Sequence, residues 1–239
     1  MIRKNNVMNI QLNLPIRVRD SASLDNFFVG RNEEAVSALN QWLERITTNK
    51  ILYFYGVVGS GCSHLLQAAC QFLSDKNEMT VYVPSSDSSI TNEFIAQLSP
   101  STTVCVDDLD AVAGQLNWEE SLLELYERLM PSSGRLLFAG SQPPLAIGLK
   151  LADLATRLAS GEVYRIQPLT ESELPRAMRL RAKRRGFELS DEVIHYLLRR
   201  VPRNSKAIFD VLDRVDKAAF AKQRRITIPF LQDIEKYDV

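Results

Sequence analysis

The fold is decided by a short glycine-rich stretch, GVVGSGCS, at residues 56–63. An apolar run, ILYFY at 51–55, leads directly into it, and an amphipathic pattern, HLLQAACQFL, follows it from His64. A glycine-rich turn between a strand and a helix aims successive backbone N–H groups and a helix N-terminus at one point. Phosphate oxygens accept hydrogen bonds from such groups, so this arrangement is typical of a phosphate cradle. We call residues 56–63 the cradle turn.

The cradle turn has the spacing G-x-x-x-x-G-x-[ST], with one departure from the usual pattern. We assign nucleotide contacts to Gly56, Gly59, Ser60, Gly61, Cys62 and Ser63. Cys62 takes the place of the usual lysine, and a thiol cannot supply that positive charge beside the outer phosphates. We therefore expect a nucleotide site with poor turnover of its own. The alternative is a glycine-rich turn with nothing bound.

Two adjacent acids, Asp107 and Asp108, follow a second apolar run, TTVCV. The carboxyl end of a parallel strand is where open sheets collect their ligands. In P-loop proteins the first such acid supports Mg²⁺ and the second polarises the attacking water. We therefore add both acids to the nucleotide site, with Ser63 and Asp107 as candidate Mg²⁺ ligands. The alternative is a plain acidic turn.

Apolar runs alternate with helical patterns over the first two thirds of the chain. The further runs predict strands at residues 80–84, 102–106, 135–139 and 163–166. The segments between them have apolar residues three or four positions apart, as amphipathic helices do. Strands that alternate with helices predict βαβ units and a parallel sheet covered on both faces. We therefore predict an α/β nucleotide-binding domain at residues 21–168.

Beyond the last apolar run only helical patterns continue. Thr170 and Glu173 have the spacing of a capping box, and Ser190 is a suitable N-cap for the pattern DEVIHYLLRRV. A longer helical pattern begins at Lys206. We predict a small α-helical domain at residues 169–239.

The composition is that of an ordinary globular protein, with 45% hydrophobic and 24% charged residues. The three cysteines, Cys62, Cys70 and Cys105, lack C-x-x-C spacing, which favours a reducing compartment over a disulfide frame or a zinc site. No stretch reaches membrane-spanning length, so we expect a cytoplasmic protein without a membrane partner. Residues 1–164 carry 12 basic and 18 acidic side chains, and residues 165–239 carry 17 and 11. This asymmetry suggests two regions with different partners.

The N-terminal peptide QLNLPI, residues 11–16, precedes the predicted core. Pro15 disfavours helix at Leu14 and leaves an extended segment with several apolar side chains. An apolar stretch in a flexible tail, which we place at residues 1–20, suggests a docking peptide. The alternative is a strand added to this protein's own sheet.

Several of these segments resemble one known family. The cradle turn, LDNFFVGRNEE at 24–34, VDDLDAVAG at 106–114 and LADLATRL at 151–158 are similar to the ATPase core of the bacterial DnaA initiators, a clade of the AAA+ family. WEESLLELYERL, IQPLTESE, LRAKRRGFEL and QRRITIPFL are closer still to the shorter Hda-type regulators of that clade. The resemblance covers nearly the whole chain. It implies an AAA+ fold, in which a five-stranded parallel sheet has the order 5-1-4-3-2 and a helical lid follows.

The resemblance also gives roles to further residues. Arg157 matches the arginine finger, the catalytic residue that acts in trans on the γ-phosphate of a neighbouring subunit. Lys206 matches the nucleotide-binding lid position called sensor 2, and Ser141 stands at sensor 1, where relatives carry an acid. The tail resembles a sliding-clamp binding motif. Its contact residues would be Gln11, Leu12, Leu14, Pro15 and Ile16.

The function implied by the resemblance is negative regulation of chromosomal replication initiation. The protein would bind the β sliding clamp of DNA polymerase III, hold an adenine nucleotide, foremost ADP, with Mg²⁺, and stimulate ATP hydrolysis by the initiator DnaA through Arg157. DNA contact would be mainly indirect, through the clamp, and homo-oligomers are compatible with the family. Two alternatives stay open: an autonomous AAA+ ATPase such as a helicase loader, and a DnaA-like initiator fragment.

Overall fold

The computed structural model describes residues 22–202 and 205–235. The predicted tail at 1–20, with its motif at 11–16, lies outside the described residues. No helix in the described part of the chain is both long and apolar enough to cross a membrane.

Five parallel strands form the sheet within the described residues. They are β1 (Ile51–Tyr55), β2 (Thr80–Pro84), β3 (Thr103–Asp107), β4 (Arg135–Gly140) and β5 (Glu162–Arg165). The strand order is β2-β3-β4-β1-β5, which is the predicted 5-1-4-3-2 read from the other edge. Each predicted strand is confirmed to within one residue at its ends. The parallel α/β architecture is therefore the predicted one.

Helices cover both faces of the sheet. Those of the α/β part are α1 (Glu33–Leu43), α2 (Cys62–Asp75), α3 (Asn92–Ala96), α4 (Leu116–Leu129) and α5 (Ala152–Ala159), with short 3₁₀ turns at Leu24–Asn26 and Leu109–Ala111. One apolar cluster joins α3, α4 and α5 to the sheet, and a second joins α1 and α2 to its other face. Tyr53 of β1 lies in the first cluster and Leu52 and Phe54 lie in the second, because successive strand residues point to opposite faces.

The helices after the sheet pack around a core of their own and form what we call the lid. They are α6 (Leu174–Arg184), α7 (Asp191–Arg200), α8 (Ser205–Lys222) and α9 (Ile228–Glu235). Buried apolar side chains from all four helices form this core, among them Met178, Ile194, Leu212 and Phe230. This third cluster makes the lid a separate packing unit beside the sheet.

The ends of two lid helices test the predicted caps. Ser190 caps α7 as predicted, because its hydroxyl accepts a hydrogen bond from the backbone N–H of Val193 at 3.3 Å. The backbone N–H and the hydroxyl of Thr170 both donate to Glu173 Oε2 at 2.8 Å, as in a capping box. Yet α6 begins only at Leu174, since Pro175 is tolerated in the first turn of a helix and not further inside it.

Candidate functional site

The residues assigned to the nucleotide site line one cleft of about 770 Å³. It lies at the carboxyl edge of the sheet, between the cradle turn, the ends of β3 and β4, and the lid. Its lining includes Gly56, Gly59, Ser60, Gly61, Cys62, Ser63, Asp107, Asp108 and Lys206. The structure therefore brings together every residue that the sequence assigned to this site. Arg157 is not part of the lining.

The backbone of the cradle turn has the shape that a phosphate site needs. Gly61 has φ +110°, a left-handed conformation that favours glycine, and a Cβ at this position would lie 2.8 Å from the ring of Phe27. Helix α2 begins at the next residue, Cys62, so its N-terminal N–H groups point into the cleft. A Cβ at Gly59 would lie 3.5 Å from the backbone nitrogen of Lys206, so the lid closes directly over the turn.

Cys62 brings no charge to the cleft. Its side chain is buried, and its Sγ atom lies 3.3 Å from Ser60 Oγ. Burial raises the pKa of the Cys62 thiol to about 12, so the thiol is neutral near pH 7. Two cationic side chains of the lid, Lys206 and Arg181, line the cleft instead. The guanidinium of Arg181 pairs with Asp213 at 3.2 Å, whereas Lys206 is exposed.

Asp107 ends β3 as a buried carboxylate with several hydrogen-bond donors. The hydroxyl of Tyr82 donates to its Oδ2 at 2.5 Å, and the hydroxyl of Ser63 also bonds to it. Burial raises the pKa of Asp107, although the bonds from Tyr82 and Ser63 lower it in part. The candidate Mg²⁺ ligands Ser63 and Asp107 both line the cleft, and the Ser63 hydroxyl lies near enough to the Asp107 carboxyl to lower its pKa.

Oxygen ligands are the kind that Mg²⁺ prefers, so this pair fits the ion. Within the described residues there is no group of three or more His, Cys, Asp and Glu side chains suited to hold a metal. Octahedral Mg²⁺ usually completes its ligand set with phosphate and water oxygens. The pair is therefore suited to an ion whose remaining ligands are phosphate and water oxygens.

The segment after β3 contains a residue that sequence reasoning missed. Asp108 has φ 54°, and its Oδ2 accepts a hydrogen bond from Ser86 Oγ at 2.7 Å. Asp110, two positions later, accepts from the backbone N–H of Ser141 at 2.8 Å and also from the Ser141 hydroxyl. A carboxylate therefore lies beside Ser141, the residue at the position where relatives are expected to carry an acid. The motif VDDLDAVAG contains this third acid, but only the fold shows its partner.

A segment from the N-terminal side covers the other end of the cleft. Phe27 and Phe28 line the cleft, and Phe27 lies 5.6 Å from the ring of His64, centre to centre. The buried Asn32 holds this segment to the end of the sheet, since its Oδ1 accepts from the N–H of Gln167 at 2.7 Å. Aromatic faces in a cleft are suited to stack against a flat heterocycle. We call Phe27 and Phe28 the aromatic wall, and the pattern LDNFF at 24–28 is the feature of the sequence that could have predicted it.

Arg157 lies on α5, outside the cleft. Its side chain is 34% exposed, and its Nε donates to Asp153 Oδ2 at 2.9 Å. Its Nη2 lies 3.6 Å from Glu127 Oε1, and its guanidinium lies 5.0 Å from the centre of the Tyr126 ring. The hydrogen bond to Asp153 raises the pKa of Arg157 further. A charged guanidinium is therefore held at a surface that a second molecule can reach.

Two arginines of the segment RAKRRGF, residues 181–187, form ion pairs inside the lid. Arg185 pairs with Asp213 at 2.9 Å and with Asp216 at 3.2 Å, and Arg181 also pairs with Asp213. These acids come from α8, so the charges join two lid helices. Arg184 of the same segment pairs instead with Asp25, outside the lid, at 3.4 Å.

Two family models and several solved structures are similar to this chain. Residues 18–164 match the family model of the bacterial DnaA ATPase domain, and residues 171–234 match the model of the Hda lid domain. Domain III of the Thermotoga maritima replication initiation protein DnaA has a TM-score of 0.74 at 19% identity, over 91% of this chain and 98% of that one. AMPPCP-bound DnaA from Aquifex aeolicus has a TM-score of 0.67 at 21% identity, over 85% and 68%.

A further crystal structure, of a DNA replication initiation factor, has a TM-score of 0.65 at 22% identity. The match covers 84% of this chain and 65% of that chain, so this chain spans less than two thirds of the length of that protein.

Proposed function

Because the chain belongs to the bacterial DnaA ATPase-domain family, within AAA+, and carries a lid of the Hda type, we propose that it is a negative regulator of replication initiation. In this proposal it holds an adenine nucleotide in its own cleft and presents Arg157 to the ATP of the initiator DnaA. The initiator then hydrolyses its ATP and loses activity. The observation that carries the proposal is the separation of Arg157 from the cleft.

The proposed role of the cleft is to bind a nucleotide rather than to turn it over. The cradle turn, the lid and the aromatic wall at Phe27 and Phe28 support binding of a nucleotide, and the AMPPCP-bound DnaA relative supports adenine. The neutral Cys62 supports slow hydrolysis, because it cannot stabilise negative charge on the outer phosphates. Charge near these phosphates would come mainly from Lys206. ADP, with one negative phosphate fewer than ATP, fits such a site best.

Mg²⁺ is proposed to accompany the nucleotide, held by Ser63 and Asp107. When bound, it would neutralise phosphate charge. The chain's own contribution is to keep both oxygen ligands in place. Asp107 is held by the hydrogen bond from Tyr82, and Ser63 is the second residue of α2.

Arg157 is the group proposed to act on the partner. A guanidinium has a fixed fork of donors that matches phosphate oxygens, and it stays charged at any physiological pH. An arginine supplied in trans accelerates phosphoryl transfer by about 10³–10⁵-fold in other systems. The bracing of Arg157 by Asp153 and Tyr126 supports this role, because a side chain held in place loses less entropy when it docks.

The sliding clamp is proposed as the second partner, on the sequence of residues 11–16 alone. A clamp-bound regulator would reach the initiator near replicating DNA, and its own contact with DNA would be indirect. The proposed binding to the clamp is independent of the proposed role of Arg157, and the two can be tested separately.

The test is a reconstituted assay of ATP hydrolysis by the initiator. This protein and a DNA-loaded clamp are added together, and each is then omitted in turn. We expect rapid hydrolysis with all components and slow hydrolysis when either is missing. A version that lacks residues 11–16 should lose stimulation and also clamp pull-down, while a version with residues 2–7 removed serves as its length control.

Two results would contradict the proposal. Hydrolysis by this protein alone, at the rate of intact P-loop enzymes, would favour an autonomous ATPase. Origin-specific DNA binding without the initiator would favour the initiator-fragment alternative.

A further inference from the structure

Helix α4 contains a buried acid that the proposed function has not used. Glu119 is fully buried, and its carboxylate accepts three backbone hydrogen bonds. Oε1 accepts from Gly114 N at 2.6 Å and from Lys150 N at 3.2 Å, and Oε2 accepts from Leu151 N at 2.7 Å. Glutamate is almost never fully buried unless it is paired or hydrogen-bonded. All of these donors lie in two loops, so the carboxylate joins the loops to α4.

One of the two loops leads into α5. Leu151 is the N-cap of this helix, so the Glu119 carboxylate lies at the N-terminus of α5, where a negative charge is favourable. Arg157 lies farther along the same helix and contacts Tyr126 and Glu127, which also belong to α4. Helix α4 therefore holds α5 at both ends. Near Arg157 the contacts are at the surface, and at Leu151 they are buried.

The other loop leads back to the nucleotide cleft. Gly114 follows the 3₁₀ turn Leu109–Ala111, which begins directly after Asp108. Within that turn Asp110 bonds to Ser141, at the end of β4. A Cβ at Gly114 would lie 3.9 Å from the carbonyl oxygen of Gly148, so the two loops lie close together. A continuous set of contacts thus runs from the acids of the cleft to the start of α5.

We propose that Glu119 is the positioning residue for Arg157, and that through Gly114 it links the position of α5 to the occupied cleft. The inference rests on the proposed function, because it concerns the same guanidinium. In this inference the bound nucleotide has a role other than turnover. It orders the segment after Asp108, and the hydrogen bonds of Glu119 then hold the N-terminus of α5 in place. Glu119 touches neither nucleotide nor partner.

The test replaces Glu119 by glutamine in the full-length protein. Glu119→Gln keeps the shape but exchanges one acceptor oxygen for an NH₂ group, which cannot accept from a backbone N–H. Small displacements of a catalytic group cost up to about 100-fold in rate, so we expect maximal stimulation to fall by about 10- to 100-fold. The half-saturating concentration for the initiator and the affinity for ADP should stay within about twofold. This split separates positioning from binding.

Ser121→Ala is the matched control. Ser121 is buried on the same helix, but its hydroxyl accepts from Asn92 Nδ2 at 3.3 Å and not from either loop. We expect this variant to keep full stimulation. A similar loss in Ser121→Ala would mean that any disturbance of α4 acts in this way, and it would overturn the specific role of Glu119.

Amide hydrogen exchange supplies a readout that does not depend on activity. In the wild type, ADP should slow exchange at Gly114, Lys150 and Leu151. In Glu119→Gln exchange at these amides should be faster, and ADP should no longer slow it at Lys150 and Leu151. If Glu119→Gln does not fold, Leu151→Pro removes one donor from the other side. Leu151 has φ −81°, which proline can adopt, and we expect the same fall in maximal stimulation and the same loss of ADP protection at Lys150.

The outcomes separate the two proposals. If Arg157→Ala keeps full stimulation, the proposed function is wrong, whatever Glu119 does. If Arg157→Ala abolishes stimulation while folded Glu119→Gln keeps more than half of it, the proposed function stands and the inference about Glu119 is wrong. If Glu119→Gln changes ADP affinity rather than maximal rate, or ADP leaves exchange at Leu151 unchanged in the wild type, the inference is also wrong.

Discussion

The cleft under the lid and the outer face of α5 differ in how they hold positive charge. In the cleft the lysine position is occupied by Cys62, a buried neutral thiol, and Lys206 of the lid adds an exposed cation to the lining. On α5 the guanidinium of Arg157 is one-third exposed and braced by an acid and an aromatic ring. The cleft is thus shaped to enclose phosphate with few charged side chains. The outer face of α5 presents a charged guanidinium outside the cleft.

The two regions also differ in what stabilises them. The hydrogen bond from Tyr82 to Asp107 is buried at the end of the sheet, where such a bond contributes about 1 kcal/mol and a lost partner costs more. The ion pairs of Arg157 are solvent-exposed, and such pairs contribute little to stability. We infer that the cleft is rigid and that the placement of Arg157 depends mainly on how α5 is anchored.

The largest expected effect comes from Arg157→Ala. Stimulated hydrolysis by the initiator should fall by about 10³-fold, which corresponds to about 4 kcal/mol of transition-state stabilisation. ADP affinity, measured by calorimetric titration, should not change, because Arg157 does not line the cleft. Arg157→Lys keeps the charge but loses the planar fork, so partial activity is expected. A parallel loss of ADP affinity in Arg157→Ala would mean that the two regions are not separate.

Cys62→Lys should make the cleft more like an ordinary cradle. A charged hydrogen bond to the outer phosphates contributes about 1.5–3 kcal/mol, so ATP affinity should rise by about 10-fold or more. The gain for ADP should be smaller. Competition against a fluorescent nucleotide measures both. Cys62→Ser, which stays small and neutral, is the control. Equal affinities in all three proteins would show that the cleft does not bind phosphate at Cys62.

Tyr82→Phe tests how firmly the cleft acid is held. The change removes the hydroxyl that donates to Asp107 and accepts from Gln67. We expect the free energy of unfolding, measured in urea, to fall by about 1 kcal/mol. Tyr164→Phe is the matched control, because its hydroxyl donates to Glu162 at 3.2 Å in a half-buried place, and its loss should cost less. Equal costs would argue against a rigid cleft.

Asp153→Asn should have the smallest effect. It weakens one exposed pair of Arg157, so we expect the free energy of unfolding to change by less than about 0.5 kcal/mol and stimulation by less than about twofold. Arginine stays protonated with or without this partner, so the stimulation should keep the same profile from about pH 6 to pH 9. A loss as large as that of Arg157→Ala would assign the orientation of the guanidinium to Asp153 rather than to the anchoring of α5.

Much of the fold and part of the site follow from local patterns in the chain. The apolar runs located each strand to within a residue, because a strand buried on both faces must be apolar throughout. The glycine spacing located the cradle turn, since Gly61 needs a backbone conformation that other residues rarely adopt. The capping pair Thr170 and Glu173 located the approach to α6, and the helix begins at Leu174, where Pro175 falls in its first turn.

Only the tertiary structure decided which distant residues meet. Asp110 and Ser141 are 31 positions apart, and Glu119 and Leu151 are 32 positions apart, yet each pair is hydrogen-bonded. No periodicity in the chain encodes such a pairing, because it depends on which strand ends lie side by side in the sheet. The sequence by itself determined that this chain folds around a phosphate cradle with a cysteine in place of the lysine. Only the tertiary structure decided that Arg157 lies outside the lining of the cleft, because its side chain packs against Tyr126 and Glu127 of α4.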